Sequence, residues 1–218
     1  MSKYMIHAYP KRMWYVEQYL IPSMLQQNID KVNITIYNDI KAEGNLRACL
    51  NAFLSVPDDE EGTWHLQDDV IICKDFKQRT EQYDKGIVCG FTSYYDRDTY
   101  DVIGETTRDK MWYSFPCIRI PNQYARQSAK WVDENIIGNP VYQKFWEKGT
   151  NDDWAFRLWL KTFHKDEQVI NLSPNLVDHI DYLLGGGSGG QRKRQVRAQY
   201  WNDIDLVQDL ERKIQAKT

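Results

Sequence analysis

Trp64-His65-Leu66-Gln67-Asp68-Asp69-Val70-Ile71-Ile72 is an apolar run broken at its centre by two adjacent carboxylates. The residues on either side read as a buried strand. Desolvating an acidic pair there costs several kcal/mol unless a cation or hydrogen-bond donors compensate it, so a pair at a strand end points to a cation site. The plain alternative is a solvated turn, because Asp is common where strands stop.

The segments around this run alternate in period. Tyr4-Met5-Ile6-His7-Ala8-Tyr9 is a short apolar strand running into Pro10-Lys11-Arg12. From Met13 to Gln27 the positions of Leu20, Met24 and Leu25 predict a helix, with Pro22 as a kink or break. Val32-Asn33-Ile34-Thr35-Ile36-Tyr37 is β-branched and alternating, and predicts a second strand ending at Asn38-Asp39, which completes a β-α-β unit. Gly44 then opens a helix over 45–54 with Leu46, Leu50 and Phe53 on one face, and an acidic turn over 58–62 precedes the strand at Trp64.

Downstream, 86–91 reads as a strand, 92–110 as a polar, Tyr-rich loop over the site, and 117–121 as a strand leading into a helix over 123–135. Asn151 to Phe163 reads as a helix with acid at its positive end, and 169–172 as a late strand. Strands alternating with helices predict an α/β fold, a Rossmann-like, mainly parallel mixed sheet flanked by helices, with sites at the carboxyl ends of its strands. Asp39 and Asp68-Asp69 fall at such ends. The glycine-rich stretch 185–190 reads either as an inserted linker or as a natural mobile loop, with the flanks favouring the loop. The organisation expected is one domain over 1–201 with a charged helix over 202–218 after it.

With 218 residues the chain can bury a substantial core. A net charge of −3 argues against coating nucleic acid through the overall field, although a local basic patch is compatible with it. Eight Trp and fourteen Tyr suit core packing or pockets for sugars and bases. The cysteines 49, 73, 89 and 117 form no CxxC pair, so they read as reduced thiols rather than a zinc ribbon or disulfide framework. No apolar stretch approaches the roughly 20 residues of a membrane helix, and no secretory leader pattern opens the chain. The expected compartment is a cytoplasm, and no membrane partner is expected.

Five groups carry candidate chemistry. Asp68 and Asp69 offer hard oxygen ligands for Mg²⁺ or Mn²⁺, which bind through carboxylates plus diphosphate oxygens. His179 is a structural histidine if it stands alone, and a candidate second ligand if it meets that pair. Asp152 and Asp153 open a helix, where capping accounts for one and leaves the other as a candidate general base. Arg192, Lys193, Arg194 and Arg197 come after the glycine stretch and are either a solvated face or cations that close on a diphosphate or a nucleic-acid backbone. Lys11 and Arg12 stand at the carboxyl end of the first strand.

The ordered set resembles nucleotide-sugar-dependent glycosyltransferases of the GT-A fold, in particular small enzymes of the kind encoded by bacteriophages. The resemblance covers about residues 4 to 201. It rests on Lys11-Arg12, Asp39, Gly44-Asn45 with Arg47, Gln67-Asp68-Asp69 in the place of the DxD motif, Asn151-Asp152-Asp153-Trp154, 174–179 with its histidine, and the basic run ending at Arg197-Ala198-Gln199-Tyr200-Trp201. Gln67 departs from the motif, which removes one carboxylate.

The resemblance implies a nucleoside-diphosphate sugar as donor, with UDP as its nucleotide, and a divalent cation held by Asp69 and His179. It places Asp68 near the ribose or metal, Arg12 and Asp39 on the nucleoside, Arg47 among the nucleotide-binding residues, and Arg194 or Arg197 on the departing phosphate. Asp153, or Asp152 after it, becomes the base that activates the acceptor hydroxyl, which implies inversion at the sugar. The phage-like character raises a hydroxymethylated base in DNA as acceptor, with the host cytoplasm as the compartment, beside a glycan or cell-envelope acceptor. A non-catalytic nucleic-acid-binding protein using 192–197 is the alternative of another class.

Overall fold

The computed structural model describes residues 1–41, 43–91, 104–108, 115–146, 152–173, 175–181, 183–184, 208–209, 212–213 and 216. Strand β1 (Lys3–Ala8) leads through a 3-10 turn (Pro10–Arg12) into a helical run made of α1 (Met13–Tyr15), a π turn (Val16–Leu20) and α2 (Ile21–Gln26). Next come β2 (Ile34–Asn38), α3 (Asn45–Ser55), β3 (Gly62–Gln67), β4 (Val70–Ile72), α4 (Phe76–Thr80), β5 (Ile87–Cys89) and β6 (Gly104–Arg108). The described chain continues with β7 (Cys117–Pro121), α5 (Asn122–Asn135), α6 (Gln143–Trp146), α7 (Asp152–Phe163), β8 (Val169–Ser173) and β9 (Val177–His179).

Seven strands form one sheet in the order β2-β1-β3-β7-β5-β8-β6, and β4 pairs with β9 in a separate ribbon. β1 runs parallel to β2 and β3, and β5 parallel to β8; β7 and β6 run against their neighbours. The architecture is therefore α/β, a mixed sheet whose strands point mainly one way. Side-chain alternation along the strands builds two cores. Tyr4, Ile6, Trp64 and Leu66 face the helical run and the β4–β9 ribbon, whereas Met5, Ile118 and Ile120 face α3, α5 and α7. The sheet is thus covered on both sides, which is why its strands are rich in apolar residues.

Pro22 falls where the helical run changes form: α1 gives way to a π turn over Val16–Leu20 and α2 starts at Ile21, the local adjustment that accommodates a residue lacking an N–H. Three expectations are corrected. Val32 and Asn33 lie in a 3-10 turn (Lys31–Asn33), so the second strand starts at Ile34. Within the expected loop 92–110, Gly104–Arg108 is an edge strand paired antiparallel with β8, and the remainder of that loop lies outside the described residues. Residues 177–179 form a strand where the sequence showed only an apolar context for a histidine.

Few described residues fall in the C-terminal segment, but Asp209 and Lys213 pair at 2.7 Å across one helical turn. The Lys213 ammonium lies 4.9 Å over the Tyr19 ring and donates to its hydroxyl, tying this segment to the π turn. Among the described residues, no helix is long and apolar enough to cross a membrane.

Gly44 enters α3 at φ 93 and ψ 161, a conformation open essentially to glycine alone. Gly44→Ala is therefore expected to cost about 1–3 kcal/mol of stability. Urea unfolding would read this as a lower midpoint at unchanged slope.

Candidate active site

β3 ends at Gln67, the chain reverses at Asp68 and Asp69, and β4 leaves the main sheet. β4 meets β9 antiparallel with Val70 opposite His179, and the Ile180 N–H donates to the Asp69 carbonyl at 2.7 Å. That register sets the histidine beside the second carboxylate: His179 Nε2 lies 3.0 Å from Asp69 Oδ1. Phe91 abuts the same imidazole edge-on at 5.9 Å. The Tyr15 hydroxyl donates to the Val70 carbonyl at 2.7 Å and anchors the helical run to the turn.

Both aspartates are 4 % exposed, so their charges must be met inside the protein. Arg12, carried over the sheet edge by the 3-10 turn after β1, meets both. Its Nη1 lies 2.9 Å from Asp68 Oδ1 and 2.5 Å from Asp69 Oδ2. The Tyr9 N–H donates to Asp68 Oδ2 at 2.6 Å. The two carboxyls are driven apart. Burial and the adjacent Asp69 charge push Asp68 up, more than Arg12 and the Tyr9 N–H pull it down. Burial also acts to raise Asp69, but His179 and Arg12 outweigh it and hold this carboxyl below its ordinary range.

Asp152 and Asp153 form the first turn of α7, which packs on the opposite face of the sheet. Asp152 Oδ1 accepts from the Asp153 N–H at 3.0 Å, and Asp153 Oδ1 from the Trp154 N–H at 2.7 Å. Burial, then the charge of Asp153, and further the charge of Asp69 push Asp152 up to about 7. Asp153 is raised by burial too, against the Trp154 N–H and the nearby Arg157. Here desolvation overrides the helix dipole, which favours ionised acid at an N-terminus. Among the causes that raise Asp152 the charge of Asp69 is the smallest.

Asp39 is buried just past β2; its N–H donates to the Ala8 carbonyl at 2.9 Å, beside the end of β1. Arg47, in the first turn of α3, forms an ion pair with Asp133 of α5 with both side chains substantially exposed, and does not join the carboxylate cluster. Arg194, Arg197 and the rest of the basic run lie outside the described residues, as do Asn151 and the glycine stretch.

Sequence reasoning missed a histidine pair. His7 Nε2 and His65 Nδ1 are 2.9 Å apart, with Phe53 packed edge-on against both rings. Burial lowers His7 to about 4 and His65 well below its ordinary value, so both imidazoles are neutral at pH 7. The available signal was alternation: His7 comes two residues after Met5 on the α3 face of β1, and His65 pairs with Met5 across the ladder.

The donor set does not fit a divalent ion as it stands. Arg12 and the Tyr9 N–H donate to three of the four carboxylate oxygens of Asp68 and Asp69; the fourth, Asp69 Oδ1, is buried without a hydrogen bond among the described residues, with His179 Nε2 3.0 Å away. Among the described residues no group of three or more His, Cys, Asp or Glu could hold a metal. The structure brings Asp69 and His179 together, and of the four oxygens a hard cation would use only Asp69 Oδ1 is without a hydrogen bond.

No protein-family model matches the chain, and no curated protein matches it. Among solved structures, HddC from Yersinia pseudotuberculosis aligns over 73% of this chain and 100% of its own, at 13% identity and a TM-score of 0.34. A likeness that low bears on neither fold nor activity.

An acid whose folded pKa is raised favours the native state while it stays protonated, and that advantage is lost as pH rises through the folded value. Asp152→Asn, which keeps the acceptor oxygen but not the charge, should therefore be more stable than the parent by about 1–3 kcal/mol near pH 8 and by little near pH 4. Urea midpoints at the two pH values check this; a variant less stable at both would show that the carboxylate is well satisfied in place.

Proposed function

We propose that this chain is a glycosyltransferase that moves a sugar from a nucleoside-diphosphate sugar to an acceptor hydroxyl. The observation that carries the reading is a cation-bearing cluster at the strand ends, Arg12 with Asp68, Asp69 and His179, together with an acidic pair opening α7 in which Asp152 is raised to about 7. A group-transfer site for an anionic leaving group needs both parts: positive charge where the diphosphate departs and a base tuned near the working pH.

In this reading the donor lies along the carboxyl ends of β1, β2 and β3, with Asp39 at the nucleoside and the Arg12 cluster near the phosphates. The acceptor hydroxyl gives its proton to a carboxylate of the Asp152-Asp153 pair as its oxygen bonds to the anomeric carbon. The bond from that carbon to the phosphate oxygen breaks, and its electron pair leaves with the nucleoside diphosphate. Asp152 suits the base better than Asp153, because its raised pKa leaves it ionised in part at neutral pH yet basic enough to take a proton. A single displacement of this kind inverts the anomeric centre. Arg194 and Arg197 enter the proposal from their place in the sequence, as cations for the departing phosphate. The same basic run motivates hydroxymethylated DNA as the acceptor to try before a glycan.

A thermal-shift screen of nucleotide sugars, with mass spectrometry of hydroxymethylated DNA incubated with the hit, tests the reading. A mass increase of one sugar supports it. Salt-sensitive DNA binding with no release of nucleoside diphosphate from any donor would instead support a binding protein. Asp152→Asn should lower turnover by roughly 10²–10⁴-fold with donor affinity unchanged. Near-normal turnover in both Asp152→Asn and Asp153→Asn would remove the base from this pair.

A further inference from the structure

The geometry points to Arg12 as the resident cation of the site: a guanidinium clamped by Asp68 and Asp69 that binds the donor's diphosphate in the place where the resemblance puts a divalent metal, so that donor binding needs no metal. This rests on the nucleotide-sugar reading above and assigns the group that meets the phosphates.

Three observations carry it. First, both ion pairs run through one nitrogen of the guanidinium, Nη1, at 2.9 and 2.5 Å. The Nε and Nη2 N–H groups make no hydrogen bond among the described residues, which leaves three donors in a planar fork unspent. Second, the Arg12 side chain is 19 % exposed, so the fork is held by buried partners yet reaches the surface. A guanidinium locked on one edge with its other donors free is pre-organised for bidentate recognition of phosphate oxygens. Third, the carboxylates leave a metal little to bind: Arg12 and the Tyr9 N–H hold three of the four oxygens, the fourth, Asp69 Oδ1, faces His179 at 3.0 Å, and Gln67 stands where a further carboxylate would be. The acidic pair therefore orients a cation rather than chelating one.

One guanidinium against two carboxylates leaves the cluster net negative if both are ionised, which would repel a diphosphate. The Nε–Nη2 edge of the planar guanidinium points away from Nη1, the nitrogen that both carboxylates hold, so phosphate oxygens on that edge meet N–H donors rather than the carboxylates.

The test is isothermal titration of the full chain with UDP, GDP, CDP and ADP, in EDTA and again with Mn²⁺. At least one diphosphate should bind in EDTA, with an affinity within about threefold of that in Mn²⁺. Arg12→Lys keeps a charge but loses the fork, and should weaken that diphosphate by about tenfold or more while leaving the matching nucleoside unaffected. A melting curve checks that this variant is folded, and the EDTA-against-Mn²⁺ comparison on the parent chain decides the matter without any variant. Diphosphate binding only in Mn²⁺, or full affinity in folded Arg12→Lys, overturns the assignment and leaves the nucleotide-sugar reading standing. If none of the four binds in either condition, that reading falls and this inference with it.

Discussion

Two aspartates adjacent in sequence and almost wholly buried repel each other, and no stable fold seats both at full charge without a cation. The guanidinium of Arg12 is that cation. It arrives from the end of β1, 56 residues away in the chain, and bridges the two carboxylates through one nitrogen. Much of the local architecture depends on this contact. Because the reversal at Asp68-Asp69 can be buried, β4 can turn out of the main sheet and seek a partner in β9. Because β4 is held there, Val70 offers its carbonyl to Tyr15 and the helical run packs down on Trp64 and Leu66. A surface ion pair would contribute little; this one lies between desolvated groups, so losing either side strands a buried charge.

The sheet explains why distant residues share one edge. β1, β2 and β3 are parallel neighbours, so Ala8, Asn38 and Gln67 end near one another, and the residues just past each strand are delivered to the same side. Tyr9 to Arg12, Asp39, and Asp68-Asp69 occupy those three positions. The ribbon adds His179 from a segment over a hundred residues later, and α7 brings its acidic first turn against the other face. Rigid strand ends fix positions that loops would leave loose, which is the usual reason for sites at the carboxyl edge of an open α/β sheet.

Elements that bury a periodic face were legible in the sequence. β1, α3, α5 and α7 stand close to their expected bounds, because alternation and helical spacing record which side meets a core. The misplaced elements depend on backbone pairing or on accommodation instead. β6 is polar in sequence and lies at the sheet edge, where its place comes from ladder hydrogen bonds to β8 that need no apolar side chain. β9 is three residues long and owes its extended form to β4. The π turn before Pro22 resolves a local conflict in favour of the packed helical run, which propensity alone scores as a break. At the site, the acidic pair and its need for a cation were legible from desolvation alone. Which cation met it was not, since the contact with Arg12 depends on a three-dimensional closure that no spacing rule encodes.

The remaining asymmetry lies between Asp69 and Asp152. Both are aspartates, yet one is held ionised by His179 and Arg12 while the other is raised to about 7 by burial and by neighbouring negative charge. Pairs of acids whose surroundings drive their pKa values apart divide labour, one serving as a fixed charge and the other as a proton carrier. In the proposed reading that division is set partly from within, since the charge of Asp69 is among the causes that raise Asp152. Keeping Asp152 charged costs the fold stability at neutral pH, and a packing role would be met equally well by an uncharged amide of the same shape. A destabilised carboxylate and a clamped guanidinium are the two parts expected of a site where proton transfer and an anionic leaving group meet.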